Sequence, residues 1–363
     1  MKEQENKSIK NEIKKETEEY FKSHSVSHSL LSMLSNPKWI EWRIKNIEVD
    51  DGDKKHFRIG SAIDCLITEP HKFNDLFHVS NLNNPSGLMG KFIYYLPQGI
   101  EKIKEVEDMT ESDLEVYKVA WEKAEYKTPL KTVVKNFWAN AEYYTFYFTS
   151  KNTVNKTVLS QDEYKDVEAA VENINANVYI RKYFSRITPE GIVREFQKTI
   201  LWNHIYSKEL DIFDTPVTKE IGCKAILDLL EWDHEQKTVR GIDLKSTGHS
   251  TYDFKDSFYE YGYFRQAAFY YLAISALLKQ LNKEDYTILP FQFIVTPKSN
   301  KGYPALIYEV SQDSLAKGFT GFIHNDKKYT GVTELIDDFI WHREHGEWNA
   351  QRKVIESQYK LII

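Results

Sequence analysis

The chain has 363 residues, room for one large domain or two modest ones, and 41% of them are hydrophobic, enough for a substantial core. Its 48 basic and 54 acidic residues leave a net charge of −6, so no overall positive field advertises a nucleic-acid partner, although a basic groove can sit within an acidic surface. The two cysteines, Cys65 and Cys223, exclude a disulfide framework and a four-thiolate iron–sulfur cluster, and they point to a reducing, cytoplasmic setting.

Residues 1–24 read as a charged flexible tail without the apolar stretch of a signal peptide, and no apolar run approaches the length of a membrane span. A short helix capped by Ser27 or Ser29 is expected to stop before Pro37, followed by a second helix carrying Trp39, Trp42 and Ile44. Over residues 56–70, Ile59, Ile63, Leu66 and Ile67 recur at helical spacing, Asp64 sits among them, and Pro70 ends the run. Asn81–Gly90 is loop-like, and charged helical stretches such as Ser112–Tyr126 follow. Ser160 and Glu163 spell a capping box at the start of another helix.

Within this region of about 80–190, Trp138, Tyr143, Tyr144, Phe146, Tyr147 and Phe148 lie beside Lys127, Lys131 and Lys135. Such a set can track phosphates and stack bases, but a buried aromatic stripe under a solvated charged face is the favoured reading. The alternating segment 191–202 predicts a strand, with Glu195 as a weak candidate for the site.

The most informative stretch is 225–245. Ala225–Trp232 and Val239–Lys245 read as two strands joined by the polar turn Asp233–Thr238. Alternation along a strand puts Asp243 and Lys245 on one face and turns Leu244 toward the core. With Asp228 from the first strand, two carboxylates and an ammonium form a site suited to a hard divalent cation and an activated water. A helix then starts near Tyr259, in which Gln266 and Tyr270 share a face four residues apart. Leu289–Thr296 and Tyr303–Val310 predict a hairpin, and a last helix runs through Phe339–His342 toward Gly346 and Trp348.

The order Asp228, Asp243-x-Lys245, Gln266-x-x-x-Tyr270 resembles the PD-(D/E)xK nuclease superfamily, in its RecB-like branch. The segment 56–70 is similar to one in RecE-type (exodeoxyribonuclease VIII-like) phage exonucleases, where a metal-binding histidine stands at the place of Asp64. The resemblance implies an α/β fold with a restriction-endonuclease-like central mixed sheet flanked by helices. It implies one nuclease domain over 25–363 with a helical insert at about 80–190.

Asp64, Asp228 and Asp243, with the carbonyl of Leu244, would hold Mg²⁺ or Mn²⁺. Lys245 would orient or deprotonate the water or stabilise the phosphorane, and Gln266 and Tyr270 would position the strand. Lys224, Arg265, Gln266 and Tyr270 are the expected nucleic-acid contacts, with Lys255 a further basic group nearby. A lysine beside a metal is pulled down in pKa and one beside carboxylates is pushed up, and the sequence leaves that contest open.

The function implied is a Mg²⁺-dependent exonuclease that degrades linear duplex DNA, 5′→3′, leaving 3′ overhangs for recombination. Its partners would be double-stranded DNA ends and a single-strand annealing protein, some relatives being ring oligomers, and a phage-encoded origin fits. Three alternatives stay open: an endonuclease, the nuclease subunit of a larger DNA-processing complex, or a non-catalytic DNA-binding module of the same fold. The absence of a P-loop motif argues against a built-in motor.

Overall fold

The computed structural model describes residues 25–45, 55–80, 85, 87–102, 104–152, 156–208, 217–298 and 302–360, so the expected tail at 1–24 lies outside the described residues. The chain divides into two compact units. The first comprises residues 1–49, 177–296 and 304–363, and the second 50–176 and 297–303.

The first unit opens with α1 (His28–Ser32), whose amino end is capped by the Ser27 hydroxyl accepting from the Leu30 N–H at 3.2 Å. Helix α2 (Pro37–Ile44) follows, with Pro37 at its first position, where a missing N–H costs nothing.

The second unit contains α3 (Lys55–Thr68), β1 (Phe77–Val79), α4 (Gly87–Tyr95), α5 (Glu111–Lys123), α6 (Leu130–Ala139), α7 (Ala141–Asn152), β2 (Thr157–Leu159) and α8 (Gln161–Ala176). Strands β1 and β2 pair in parallel. The capping box ahead of α8 is present: Ser160 N–H donates to the Glu163 carboxylate at 2.9 Å, and Glu163 N–H donates to the Ser160 hydroxyl at 3.2 Å. The stretch expected as a loop at Asn81–Gly90 turns helical from Gly87.

The aromatic–lysine set here is core rather than a stacking platform. Phe137, Trp138 and Tyr147 are buried in one cluster that Tyr143, Tyr144, Phe146 and Phe148 pack against. The Tyr147 hydroxyl is used up internally, donating to Pro97 O at 2.6 Å and accepting from Ile100 N–H at 2.8 Å. Lys131 donates to Glu107 O at 2.8 Å, and Lys135 pairs with the Glu107 carboxylate at 2.5 Å. A buried hydroxyl without such partners would cost about 1–3 kcal/mol, so a satisfied phenol fits a structural role.

The first unit resumes with α9 (Val178–Phe184) and then the sheet: β3 (Ile192–Lys208), β4 (Val217–Asp233), β5 (Thr238–Thr247), α10 (Phe254–Glu260), α11 (Tyr263–Gln280), β6 (Thr287–Ile288), β7 (Gln292–Pro297), β8 (Leu306–Glu309), α12 (Gln312–Thr320), β9 (Phe322–His324), β10 (Lys327–Tyr329) and α13 (Val332–His345). The six-stranded sheet runs β3-β4-β5-β7-β8, with β6 joined to β5 in parallel and the β3–β4, β4–β5 and β7–β8 pairs antiparallel. It is therefore mixed, and helices pack on it.

The core joins alternate β4 residues (Ile221, Cys223, Ala225, Leu227) to Ala267, Phe269 and Ile274 of α11 and to α13. Gly241 allows the close approach of α11, because a Cβ there would lie 2.6 Å from the Phe291 ring and 2.9 Å from Ile274 Cδ1. The helix expected from Tyr259 is two: α10 ends, Gly262 takes a positive φ of 71°, and α11 begins. Among the described residues no helix is long and apolar enough to cross a membrane.

Candidate active site

The site starts from an interrupted strand pairing. β4 and β5 are in register from Asp233↔Thr238 to Leu229↔Ile242, and there the ladder stops. The next N–H, that of Leu244, is taken by a side chain: the Asp228 carboxylate accepts it at 2.7 Å. On its other side β4 pairs with β3, where the register also skips the pair of Asp228 with Gln197, and Gln197 holds a φ of 50°. On the β5 side, β4 regains a partner further back, where Val26 bridges Cys223. Its N–H donates to Gly222 O and its carbonyl accepts from Lys224 N–H, both at 2.8 Å. Between Val26 and Ile242 the sheet is open, and Asp228 stands in that opening.

Across it lies Asp243, almost fully buried. One carboxylate oxygen accepts from the Gln266 amide at 2.7 Å, and the other is 2.5 Å from Lys245 Nζ. The same Gln266 amide donates to the Tyr270 hydroxyl at 3.2 Å. The motifs that the sequence suggests for a site, the aspartate–lysine strand and the glutamine–tyrosine helix, are thus joined through one carboxylate. Lys245 is boxed in by aromatic faces, 4.9 Å from the Tyr263 ring centroid and 5.9 Å from that of Phe293. Tyr263 is three residues before Gln266 on the same helix face, so helical spacing alone could have singled it out.

Electrostatics follow from the burial. Desolvation pushes the Asp243 carboxyl above its ordinary range, and the attraction of Lys245 and the Gln266 hydrogen bond only partly offset it. Desolvation also works against the Lys245 ammonium, but Asp243, Asp228 and Tyr263 outweigh it and hold its pKa above the ordinary value. Against burial, then, the carboxylates prevail at Lys245.

The remaining expected residues are less central. Lys224 is on the Asp228 face of β4 but four residues, about 13 Å, along the strand; burial, then Arg43, lower its pKa. Arg265, next to Gln266, is partly buried, and Lys255 is exposed. Leu244, expected in the core, is only half-buried. Glu195 is a structural acceptor, bonded by the Trp232 indole at 2.6 Å and paired with Lys198 at 2.8 Å. Asp64 is half-buried on α3 in the second unit, where its carbonyl accepts from the Thr68 hydroxyl at 2.7 Å.

Among the described residues, no three His, Cys, Asp or Glu side chains converge to hold a metal. The donors at hand are two carboxylates and a strand carbonyl, all hard oxygens. That set fits Mg²⁺ or Mn²⁺, which bind through one or two carboxylates and otherwise keep water or substrate oxygens, and it does not fit zinc.

A sequence model of the PD-(D/E)XK nuclease superfamily matches residues 103–317, a span that holds Asp228, Asp243, Lys245, Gln266 and Tyr270 and leaves Asp64 outside. No curated protein matches the chain. The central mixed sheet with flanking helices agrees with the restriction-endonuclease-like architecture of that superfamily. Covering more than half of the sequence, the match shows that the chain belongs to the PD-(D/E)XK nuclease superfamily.

Proposed function

We propose that this chain is a metal-dependent deoxyribonuclease acting as an exonuclease on linear duplex DNA, with 5′→3′ polarity and a role in recombination. One observation supports the chemistry above all: the buried Asp243 carboxylate is shared between Lys245 at 2.5 Å and Gln266 at 2.7 Å, opposite an Asp228 that has displaced the strand ladder. A fold has no need to bury a lysine–aspartate pair beside an opened sheet, and perturbed charges in such a place mark function.

In this reading Asp228, Asp243 and the Leu244 carbonyl hold Mg²⁺ or Mn²⁺, which when bound acidifies a water and offsets charge on the phosphoryl group. Lys245 orients or deprotonates that water, or serves as a cation toward the developing oxyanion. Gln266 keeps Asp243 in one orientation, and Tyr270 extends that bond toward the strand. Asp64 as a further ligand rests on the likeness of its segment, and Asp64→Ala tests it by the loss of metal affinity.

Exonuclease action, 5′→3′ polarity, an annealing-protein partner, a ring assembly and a phage origin rest on the RecE-type resemblance. The free, buried Cys65 and Cys223 fit a reducing cytoplasm. The experiment is digestion of 5′- and 3′-labelled linear duplex and of closed circles, with Mg²⁺ or EDTA, by wild type and Asp243→Ala. Metal-dependent loss of the 5′ label from linear DNA only, absent in the variant, is the expected result. Cutting of circles would make it an endonuclease, and DNA binding without cleavage in Mg²⁺ or Mn²⁺ would make it a non-catalytic module.

A further inference from the structure

Two buried nitrogens near the site have nothing to bond. His28 Nε2 and Arg265 Nε are both shut off from solvent, and neither has a hydrogen-bond partner. Natural folds leave few such atoms, and each asks for a water, an ion or a ligand. Arg265 is the more telling. Its one hydrogen bond is a long one, 3.4 Å from Nη1 to Thr330 O, and among the described residues no carboxylate pairs with it. Arginine is a fork of five donors and no acceptor, and an unpaired partly buried one invites an anion.

The local fold holds these groups in place. Val26 is bonded into β4 on both sides, and two residues later His28 begins α1. Its ring lies 6.3 Å from Phe269, one turn beyond Arg265 on α11. Gly262 makes room for the guanidinium, since a Cβ there would come within 2.4 Å of Arg265 Nη2. His28 feels both Arg265 and Lys245 through space, and burial with these two cations drives its pKa down to about 3. In its neutral form the ring offers one N–H. The three groups together present donors and positive charge, while the carboxylates of the site, Asp228 and Asp243, are engaged with Leu244 N–H, Lys245 and Gln266.

We propose that His28 and Arg265 form a phosphate-binding subsite that holds a phosphate group of the nucleic-acid strand beside Lys245. A phosphate accepts from several donors at once, which suits a guanidinium and an imidazole N–H better than a carboxylate or a halide does. This inference rests on the nuclease reading of the same site, and it adds to it a residue, His28, from outside the family match.

The test uses the full chain, in EDTA so that nothing is cut. A fluorescein-labelled single strand carrying either a 5′-phosphate or a 5′-hydroxyl is titrated against wild type, His28→Ala, His28→Gln and Arg265→Ala, with orthophosphate as competitor. His28→Ala and Arg265→Ala should each weaken binding about tenfold, the double variant should lose less than the product of the two, and His28→Gln, which keeps a donor, should recover part of the loss. Greater loss for the 5′-phosphorylated strand assigns a terminal phosphate, and equal loss an internal one.

Wild-type affinity in both alanine variants, with unchanged melting temperature, overturns the subsite. If His28→Ala does not fold, the His28 ring signal in wild type decides: a shift on adding orthophosphate supports the subsite, and no shift refutes it. The subsite and the nuclease reading fail separately. A wild type that never cleaves, with His28→Ala still weakening strand binding, refutes only the nuclease, and cleavage with binding unchanged in His28→Ala and Arg265→Ala refutes only the subsite.

Discussion

Strand β5 has a lysine–aspartate pair near each end, and the two behave oppositely. At the turn, Lys237 meets Asp285 at 2.6 Å with side chains 60% and 55% exposed. At the opened end, Lys245 meets Asp243 at 2.5 Å with side chains 20% and 3% exposed. The residue types are the same and the distances differ by only 0.1 Å. Yet the Lys237 hydrogen bond holds the Asp285 carboxyl below its ordinary range, whereas burial pushes Asp243 above its own. Water stabilises both charges of the first pair whether or not they touch, so the contact is worth little. The second pair has given up that water, and each charge depends on its partner and on Gln266.

Substitutions that strip the buried pair should have the largest effects. Asp243→Ala should lower metal-dependent cleavage by about a thousandfold or more. It should also lower the unfolding free energy by about 3–5 kcal/mol, because Lys245 is left buried without its main counter-charge. End-labelled digestion and urea unfolding read these two effects, and a stable but inactive Asp243→Ala would place the pair in catalysis alone.

Lys245→Ala should abolish cleavage, a fall of about a thousandfold, while DNA binding by gel shift persists. Full activity would remove Lys245 from the chemistry. Gln266→Ala is the intermediate case. It frees one oxygen of Asp243 inside the fold, for a cost of about 1–3 kcal/mol, and should slow cleavage by about tenfold to a hundredfold. Gln266→Glu should be worse, since it sets a second carboxylate against the first.

A pH series sharpens the comparison by a different route. Buried His28 titrates at about 3 instead of 6.5. Between those values the unfolded chain takes a proton that the folded one refuses, so stability is lost as pH falls through that window. Going from neutral pH to pH 4.5, wild type should lose about 3 kcal/mol of stability relative to His28→Gln, measured by urea unfolding. Equal pH profiles would mean that the imidazole is open to solvent. Smallest of all, Lys237→Ala should leave both the melting temperature and cleavage unchanged, and any loss there would show that the exposed pair matters more than its hydration suggests.

The same pair shows how far residue order reaches. Asp243 and Lys245 are two apart on a strand and Gln266 and Tyr270 four apart on a helix, and those periods dictate a shared face without any tertiary structure. The strands, the capping box at Ser160 and the helix cap at Ser27 were legible for the same local reason. Glu195 shows the limit: the alternation placed it on a strand correctly, but its bond to Trp232 spans two strands, and nothing in either segment announces it. The halt of the β4–β5 ladder at Leu229↔Ile242, the φ of Gln197, and the influence of Arg265 on His28 are equally silent in the sequence.

What the sequence by itself determined here is the chemistry available: two aspartates, a lysine, a glutamine and a tyrosine, each assigned to a face by backbone period. What only the tertiary structure decided is how those faces meet and how dry the meeting place is. That division has a physical cause. Periodicity acts within a few residues, whereas desolvation and register depend on segments brought together across the chain. Those two set the direction of every perturbed charge at this site.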